Sequence, residues 1–288
     1  MINGRIIKGV GGLYSVDTEN GVFQCKARGV FRKRKIVPTV GDYVDIAILD
    51  EKEKTGFIEK ICERRTFMVR PRVANVDCCI ITFAGASPDI NFDLLDRFLI
   101  LAEEKNIDVV ICINKCDITK KEVVDYVKRI YQPIYKVIFT DTINDVGIDE
   151  LKEYIKNKVS VVAGPSGVGK SSLINKIVPF GIQKTGEISQ KIERGKHTTR
   201  EVELLLIDEN TYIVDSPGFT SLSLEHIKPN ELQFYFREFK EFIDKCRFND
   251  CLHLHEPDCL IKENIGKTIS EERYSRYEFL YNELQQKR

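Results

Sequence analysis

The sequence predicts a multi-domain α/β protein, with a small antiparallel barrel first, a parallel-sheet domain next and a helical region last. Three observations carry this. Short alternating segments crowd the beginning of the chain, apolar runs then alternate with longer helical patterns, and cysteine and histidine gather near the end.

Residues 5–10, 13–17, 22–27, 43–48 and 55–61 alternate apolar and polar side chains between Gly, Asn and Asp turns, the spacing of a small barrel. From residue 76 the period changes. Strands are predicted at 76–84, 109–113, 134–139 and 159–163, with helices at 91–105, about 120–131, 148–157 and 170–177. Buried Val/Ile runs alternating with helices specify a parallel sheet covered on both faces. Strands at 201–207 and 211–214 complete it. After Asp215 the pattern turns irregular and helical, with aromatic residues at Phe234, Tyr235, Phe236, Phe239 and Phe242. The expected domains are 1–72, 73–222 and 223–288.

At 288 residues, with 42% hydrophobic and 31% charged side chains, the chain can bury a sizeable core in each large domain. Its apolar runs are far shorter than the roughly 20 residues that span a bilayer. The first ten residues lack the basic-then-apolar order of a secretory signal, and the nine cysteines form no regular framework. A monomer of the reducing cytoplasm, with no membrane partner, is the expectation. Total charge is balanced, but residues 1–72 carry 15 Lys/Arg against 9 Asp/Glu, densest at Arg28, Arg32, Lys33, Arg34 and Lys35. A polyanionic partner suits that excess, and Phe31 and Phe23 are candidate stacking aromatics beside it.

Gly164, Pro165, Ser166, Gly167, Val168, Gly169, Lys170 and Ser171, with Ser172 behind them, match the phosphate-loop pattern between a strand and a helix. Its glycines let the backbone curl N–H groups toward phosphate oxygens, and the helix N-terminus adds its positive end. Lys170 would reach the β- and γ-phosphates, and the Ser171 hydroxyl would hold Mg²⁺. Asn114, Lys115, Cys116 and Asp117 follow a strand end and match the guanine motif N-K-x-D. The Asp117 carboxylate accepts two guanine N–H groups that adenine does not offer, and such sites reject the wrong ligand by about 10⁴. Asn114 would hold the loop and touch the base edge, with the Lys115 stem over the ring. Where other GTPases carry a Ser-Ala pair behind the base, this chain has Phe139, Thr140 and Asp141. The guanine motif precedes the phosphate loop, the reverse of the usual order, so the domain reads as a circularly permuted P-loop GTPase.

The long polar segment before the strand at 201–207 ends in Gly195, Lys196, His197, Thr198, Thr199 and Arg200. Thr198 or Thr199 is expected to bind Mg²⁺ and sense the γ-phosphate. Asp215 to Gly218 fits D-x-x-G, with Asp215 toward Mg²⁺ through water and the Gly218 N–H toward γ-phosphate. Phe219 stands where a glutamine orients the attacking water in related enzymes, so another group must do so; His197 is a candidate, a structural role for it being equally open. Cys246, Cys251, His253 and Cys259 give four soft ligands in one short segment, the donor set of a structural Zn²⁺, with His255 as the alternative imidazole and reduced, buried cysteines as the plainer explanation.

Together these residues resemble the ribosome small-subunit-dependent GTPase family, RsgA, also called YjeQ or YloQ. The resemblance implies an OB-type barrel, a permuted GTPase centre and a C-terminal zinc domain. It also implies GTP hydrolysis stimulated by the small ribosomal subunit, contact with its rRNA and a role in late maturation. An ATP-using P-loop enzyme and an RNA-binding scaffold with a structural nucleotide are the competing functions, separated by Asp117 and by turnover. The motif order further suggests that a change at γ-phosphate could move the C-terminal region that directly follows Asp215.

Overall fold

A computed structural model of the chain describes residues 1–33, 36–69, 71–179, 202–215 and 222–287. Five strands form the barrel: β1 (Ile2–Val10), β2 (Leu13–Thr18), β3 (Gly21–Ala27), β4 (Tyr43–Asp50) and β5 (Thr55–Ile61). They pair in the order β1-β2-β3-β5-β4, with β4 closing back on β1 and β3 parallel to β5. That is the partly Greek-key closure of an OB-type barrel. Alternation drives it, since Ile6, Val16, Phe23, Cys25, Val44, Ile46 and Ile58 all point inward and are fully buried. A one-turn helix α1 (Gly29–Lys33) follows β3 and tucks Phe31 into the same core. The stacking role expected of Phe23 and Phe31 is therefore corrected: at 0% and 7% exposure they are barrel core, because Phe23 shares the inward face of β3 with Cys25.

A short hairpin absent from the sequence reading, β6 (Phe67–Val69) with β7 (Arg72–Ala74), leads out of the barrel. The nucleotide domain then supplies β8 (Cys78–Ala84), α2 (Phe92–Glu104), β9 (Asp108–Asn114), α3 (Lys121–Ile130), β10 (Lys136–Phe139), α4 (Ile148–Tyr154), β11 (Val159–Ala163) and α5 (Lys170–Ile177). Beyond residues 180–201 come β12 (Glu203–Asp208) and β13 (Thr211–Asp215). The strands order as β10-β9-β8-β11-β13-β12, parallel except for β12. Strands earlier in the chain lie on one side of β11 and later ones on the other. The order thus reverses between β8 and β11, and such switch points place ligands at the carboxyl ends of the strands.

Both faces are covered. Val109, Ile111 and Ile113 pack with Leu95, Phe98 and Leu99 of α2 on one, whereas Val110 and Cys112 pack with Leu151 of α4 and Leu173 of α5 on the other. Asn91 caps α2, its side-chain oxygen accepting the Leu94 N–H at 2.9 Å. The barrel joins this sheet edge to edge, because β1 pairs with β4 through Ile2–Arg5 but with β12 at Lys8.

The C-terminal region contains 3₁₀ turns at Pro229–Tyr235 and Arg237–Phe239 and two helices, α6 (Leu260–Glu263) and α7 (Glu271–Gln286). Phe236, Phe239, Tyr277 and Leu280 form its core and reach Ile100 and Leu101 of α2. Polar groups complete that seam. Arg273, fully buried, donates to Asp96 of α2 at 2.6 Å and to Glu238 at 2.6 Å, and Arg237 and Lys240 both reach Glu103. No helix among the described residues is long and apolar enough to cross a membrane.

Candidate functional site

The phosphate-loop glycines are dictated by their neighbours. Gly164 has φ +141°, and a Cβ there would sit 2.0 Å from the Thr82 carbonyl oxygen. Gly169 has φ +95°, and its Cβ would lie 2.3 Å from Asn114 Nδ2. Only glycine fits either place. Val168 is buried and anchors the loop, while Ser166, Gly167 and Ser172 are exposed and Pro165 and Ser171 partly so. Lys170, first residue of α5, folds back across the loop and donates to the Pro165 carbonyl at 2.5 Å. Burial pushes its pKa below the usual lysine value.

The guanine motif is fastened to that loop. Asn114 ends β9 with 1% exposure; its amide donates to the Val168 carbonyl at 2.9 Å, and its oxygen accepts the Thr140 hydroxyl at 3.2 Å. Lys115 sits in a left-handed conformation and its ammonium bridges the Gly167 carbonyl, at 3.2 Å, and that of Ser87. The Cys116 N–H donates to the Thr140 carbonyl at 3.0 Å, which turns the chain into the 3₁₀ turn Cys116–Ile118 and leaves Asp117 exposed at the rim. Asn114 therefore ties the guanine motif to the phosphate loop, and the Lys115 side chain crosses from one motif to the other.

The roles of three residues escaped the sequence reading. Thr140 follows β10 and supports both Asn114 and Cys116, and Asp141 organises the next turn by accepting the Ile143 N–H at 2.8 Å and the Asn144 amide. Those bonds hold its carboxyl below the usual range. Their position behind the guanine motif was legible as Phe139-Thr140-Asp141, but no local pattern reveals the partners. Ser87 was the third omission, since its carbonyl is chosen by Lys115, just past the end of β9.

Asp215 ends β13, the strand beside the phosphate-loop strand β11. His197, Thr198, Thr199 and Gly218 lie outside the described residues, as do Arg34 and Lys35 of the basic run.

The metal-ligand cluster is assembled. The ligand atoms of Cys246, Cys251, His253 and Cys259 all lie within 4.8 Å of one another. Cys246 Sγ is 4.0 Å from Cys259 Sγ, and His253 Nδ1 is 3.6 Å and 3.3 Å from those two sulfurs. A tetrahedron with Zn–S near 2.3 Å has S···S edges of about 3.8 Å, so the donor set and spacing fit Zn²⁺. The sulfurs are too far apart for a disulfide. His253 Nε2 lies 2.7 Å from Gln233 Oε1, an acceptor that fixes the proton there and leaves Nδ1 free to ligate. His255 is exposed and outside the cluster, which removes it as the alternative. Glu256 accepts the backbone N–H groups of Leu252, Leu254 and His255 and so shapes the loop. Gln233 and Glu256 carried no sequence signal.

A phosphate loop after β11 and a guanine motif after the earlier strand β9, on either side of β8 and joined by the Asn114–Val168 bond, define the class: a circularly permuted GTPase with an OB-type barrel and a C-terminal Cys/His cluster. The RsgA GTPase family model matches residues 61–225 and the RsgA N-terminal domain model residues 3–58, and the chain belongs to the RsgA family. It is 48% identical to the small ribosomal subunit biogenesis GTPase RsgA of Caldanaerobacter subterraneus subsp. tengcongensis, covering 99% of this chain and 97% of that one. The Alkaliphilus metalliredigens protein of the same name is 45% identical, with 100% and 99% covered. Among solved structures, YjeQ from Thermotoga maritima superposes with a TM-score of 0.86 at 36% identity, covering 99% of this chain and 98% of that one. YloQ, described as a circularly permuted GTPase, gives 0.84 at 34%, covering 100% and 96%.

Proposed function

We infer that this protein is a GTPase of small ribosomal subunit maturation, hydrolysing GTP to GDP and phosphate. The observation that carries this reading is the bond from Asn114 to Val168, which fastens a guanine-selective motif to a phosphate loop at the carboxyl ends of the sheet strands. An ATP enzyme has no use for the Asp117 carboxylate at that rim.

In this reading Asp117 accepts the guanine N1–H and 2-amino hydrogens, Asn114 and the Lys115 stem position the base, and Cys116 serves through its backbone. The N–H groups of residues 164–172 and the start of α5 cradle the phosphates, and Lys170 exchanges the Pro165 carbonyl for β- and γ-phosphate oxygens. Phosphoryl transfer asks the protein mainly for positioning and charge stabilisation, which is what these groups supply. Ser171 and one of Thr198 and Thr199, with Asp215 through water, would hold Mg²⁺, which would supply charge neutralisation at the phosphates. Gly218 is assigned to the γ-phosphate and His197 to the attacking water, both as proposals. One structural Zn²⁺ on Cys246, Cys251, His253 and Cys259 would secure the C-terminal region.

We assign residues 1–72 to an RNA-binding barrel, 73–222 to the GTPase domain and 223–288 to the zinc domain, in a cytoplasmic monomer. Support for rRNA contact is the basic excess of the barrel segment and the names of the relatives. The test is phosphate release from GTP with and without purified small ribosomal subunits. Stimulated turnover that disappears in Lys170→Ala is expected, and subunit-independent turnover at the same rate in both conditions would overturn the reading.

A further inference from the structure

The barrel is fastened to the two strands of the GTPase domain that border residues 180–201 and 216–221. Strand β12 begins at Glu203 and β13 ends at Asp215, and the two form an antiparallel hairpin in which Glu203 pairs with Asp215. Its outer strand pairs with β1, Lys8 opposite Glu203, and the Lys8 ammonium meets the Glu203 carboxylate at 2.9 Å. A bulge between Ile6 and Lys8 in the β1–β2 ladder lets β1 leave β4 and reach this partner.

One residue of the hairpin faces both ways. The Tyr212 backbone lies opposite Val159 of the phosphate-loop strand β11, and its N–H donates to the Lys158 carbonyl at 2.9 Å. Its side chain belongs to the barrel, because the hydroxyl donates to Asp17 Oδ2 of β2 at 2.6 Å. Arg5 of β1 stacks its guanidinium 5.0 Å from the Tyr212 ring and 4.4 Å from that of Tyr43 and donates to the Tyr43 hydroxyl. Arg5 is 9% exposed and its Nη1 has no hydrogen-bond partner among the described residues, so this cluster is packed rather than solvated. Burial and the Asp17 charge push the Tyr212 phenol above its ordinary range, and it therefore remains a donor throughout the physiological pH range.

We propose that the β12–β13 hairpin transmits nucleotide state to the barrel, and that Tyr212 with Asp17 is the coupling contact. The inference rests on the GTPase reading above and adds the route by which the γ-phosphate is communicated to the RNA-facing domain. A hairpin whose one end follows the predicted threonine switch and whose other end is Asp215 moves when those ends are reordered. A strand pair and a buried tyrosine–carboxylate bond carry that movement into β1 and β2, whereas an exposed contact would dissipate it.

The test is amide hydrogen exchange of the full chain bound to GDP and to a non-hydrolysable GTP analogue. In the parent protein, exchange at Ile6, Lys8 and Val16 should differ at least threefold between the two states. In Tyr212→Phe, which keeps the ring, and independently in Asp17→Asn, the barrel difference should fall below 1.5-fold, while the difference at the phosphate loop persists and affinity for both nucleotides stays within twofold. Identical barrel exchange in the two parent states, or a difference that survives in both variants, would overturn the proposal. Nucleotide binding and subunit-stimulated phosphate release are measured on the same preparations. A failed GTPase reading appears as their absence, whereas a failed coupling appears as normal turnover with an indifferent barrel.

Discussion

Replacing Arg273 by Met tests what seats the C-terminal region on the GTPase domain. The guanidinium is fully buried and makes three short charge-assisted bonds, to Asp96 at 2.6 Å and to the two oxygens of Glu238 at 2.6 and 3.2 Å. Methionine roughly fills the space but leaves two carboxylates behind. Asp96 keeps the Tyr131 hydroxyl at 2.9 Å and Arg276 at 3.2 Å, so its loss is partial, whereas the Glu238 side chain, 4% exposed, loses its ion partner among the described residues. Removing one member of a buried ion pair costs about 3–5 kcal/mol. With Asp96 still held, the lower end applies, about 3 kcal/mol, out of a total that is typically about 5–15 kcal/mol. That is roughly a hundredfold gain in the undocked population. Urea unfolding followed by far-UV circular dichroism, with hydrogen exchange read along α7, should show the C-terminal region opening before the sheet. Adding Glu238→Gln removes the stranded charge and should restore more than half of the loss. A cost below about 1 kcal/mol for Arg273→Met, or no recovery in the double variant, would refute the claim that this network holds the seam.

Four further outcomes follow from the site. Asp117→Asn exchanges an acceptor for a donor and should turn preference from GTP to XTP by at least a hundredfold; retained GTP selectivity in competition binding would remove Asp117 from base recognition. Gly169→Ala drives a methyl into Asn114 and demands φ +95° of an L-residue, so GDP affinity should fall at least tenfold with the circular dichroism spectrum unchanged. Cys259→Ser should lower bound zinc from one per chain to none and make residues 244–258 protease-sensitive; a parent protein that is metal-free on elemental analysis yet fully protected there would count against the zinc site. The hydrogen bond from Arg129 holds Glu272 below the usual glutamate value of 4.5, so its contribution is complete above that pH and is lost as pH falls through the lowered folded-state pKa. Arg129→Gln should therefore lower stability at neutral pH, leave it unchanged well below the folded-state pKa and flatten the acid limb by the same amount, a small one because the pair is exposed.

What the sequence reveals here is local. Helix α5 falls on the residues predicted for it because Gly169 and Lys170 mark its start, and β11 coincides with its apolar run. The spacing of the metal ligands survives because all four come from one loop whose backbone is pinned by Glu256. Long-range choices are a different matter. Asp96 and Arg273 are 177 residues apart, and nothing in either neighbourhood announces the other. The same limit explains Thr140, whose hydroxyl is selected by Asn114 only after β9 and β10 have paired. Phe23 and Phe31 misled because aromatics beside basic residues look alike whether they face solvent or a barrel interior; the register of β3 decides for Phe23 and the packing of α1 on the barrel for Phe31.

Chain order suggested that nucleotide state would act on the C-terminal region, which follows Asp215 directly, but the contacts divide the molecule differently. The C-terminal region rides on α2 and α3, through Asp96, Glu103 and the Arg129–Glu272 pair, and these helices flank β8 and β9 on the guanine side of the sheet. The base is the same in GTP and GDP, so that side has no direct reason to differ between them. The barrel grips β12 and β13 on the opposite side, where the strands lead to the segments expected to sense the γ-phosphate. Both seams are packed. Buried arginine–carboxylate bonds seat the C-terminal region, while Arg5 over Tyr212, Asn75 donating to the Gly41 carbonyl and a core continuous with that of the sheet seat the barrel beside the Tyr212–Asp17 bond. The permutation thus sets the C-terminal attachment on the side of the invariant base and the barrel attachment on the side expected to sense the phosphate that is hydrolysed.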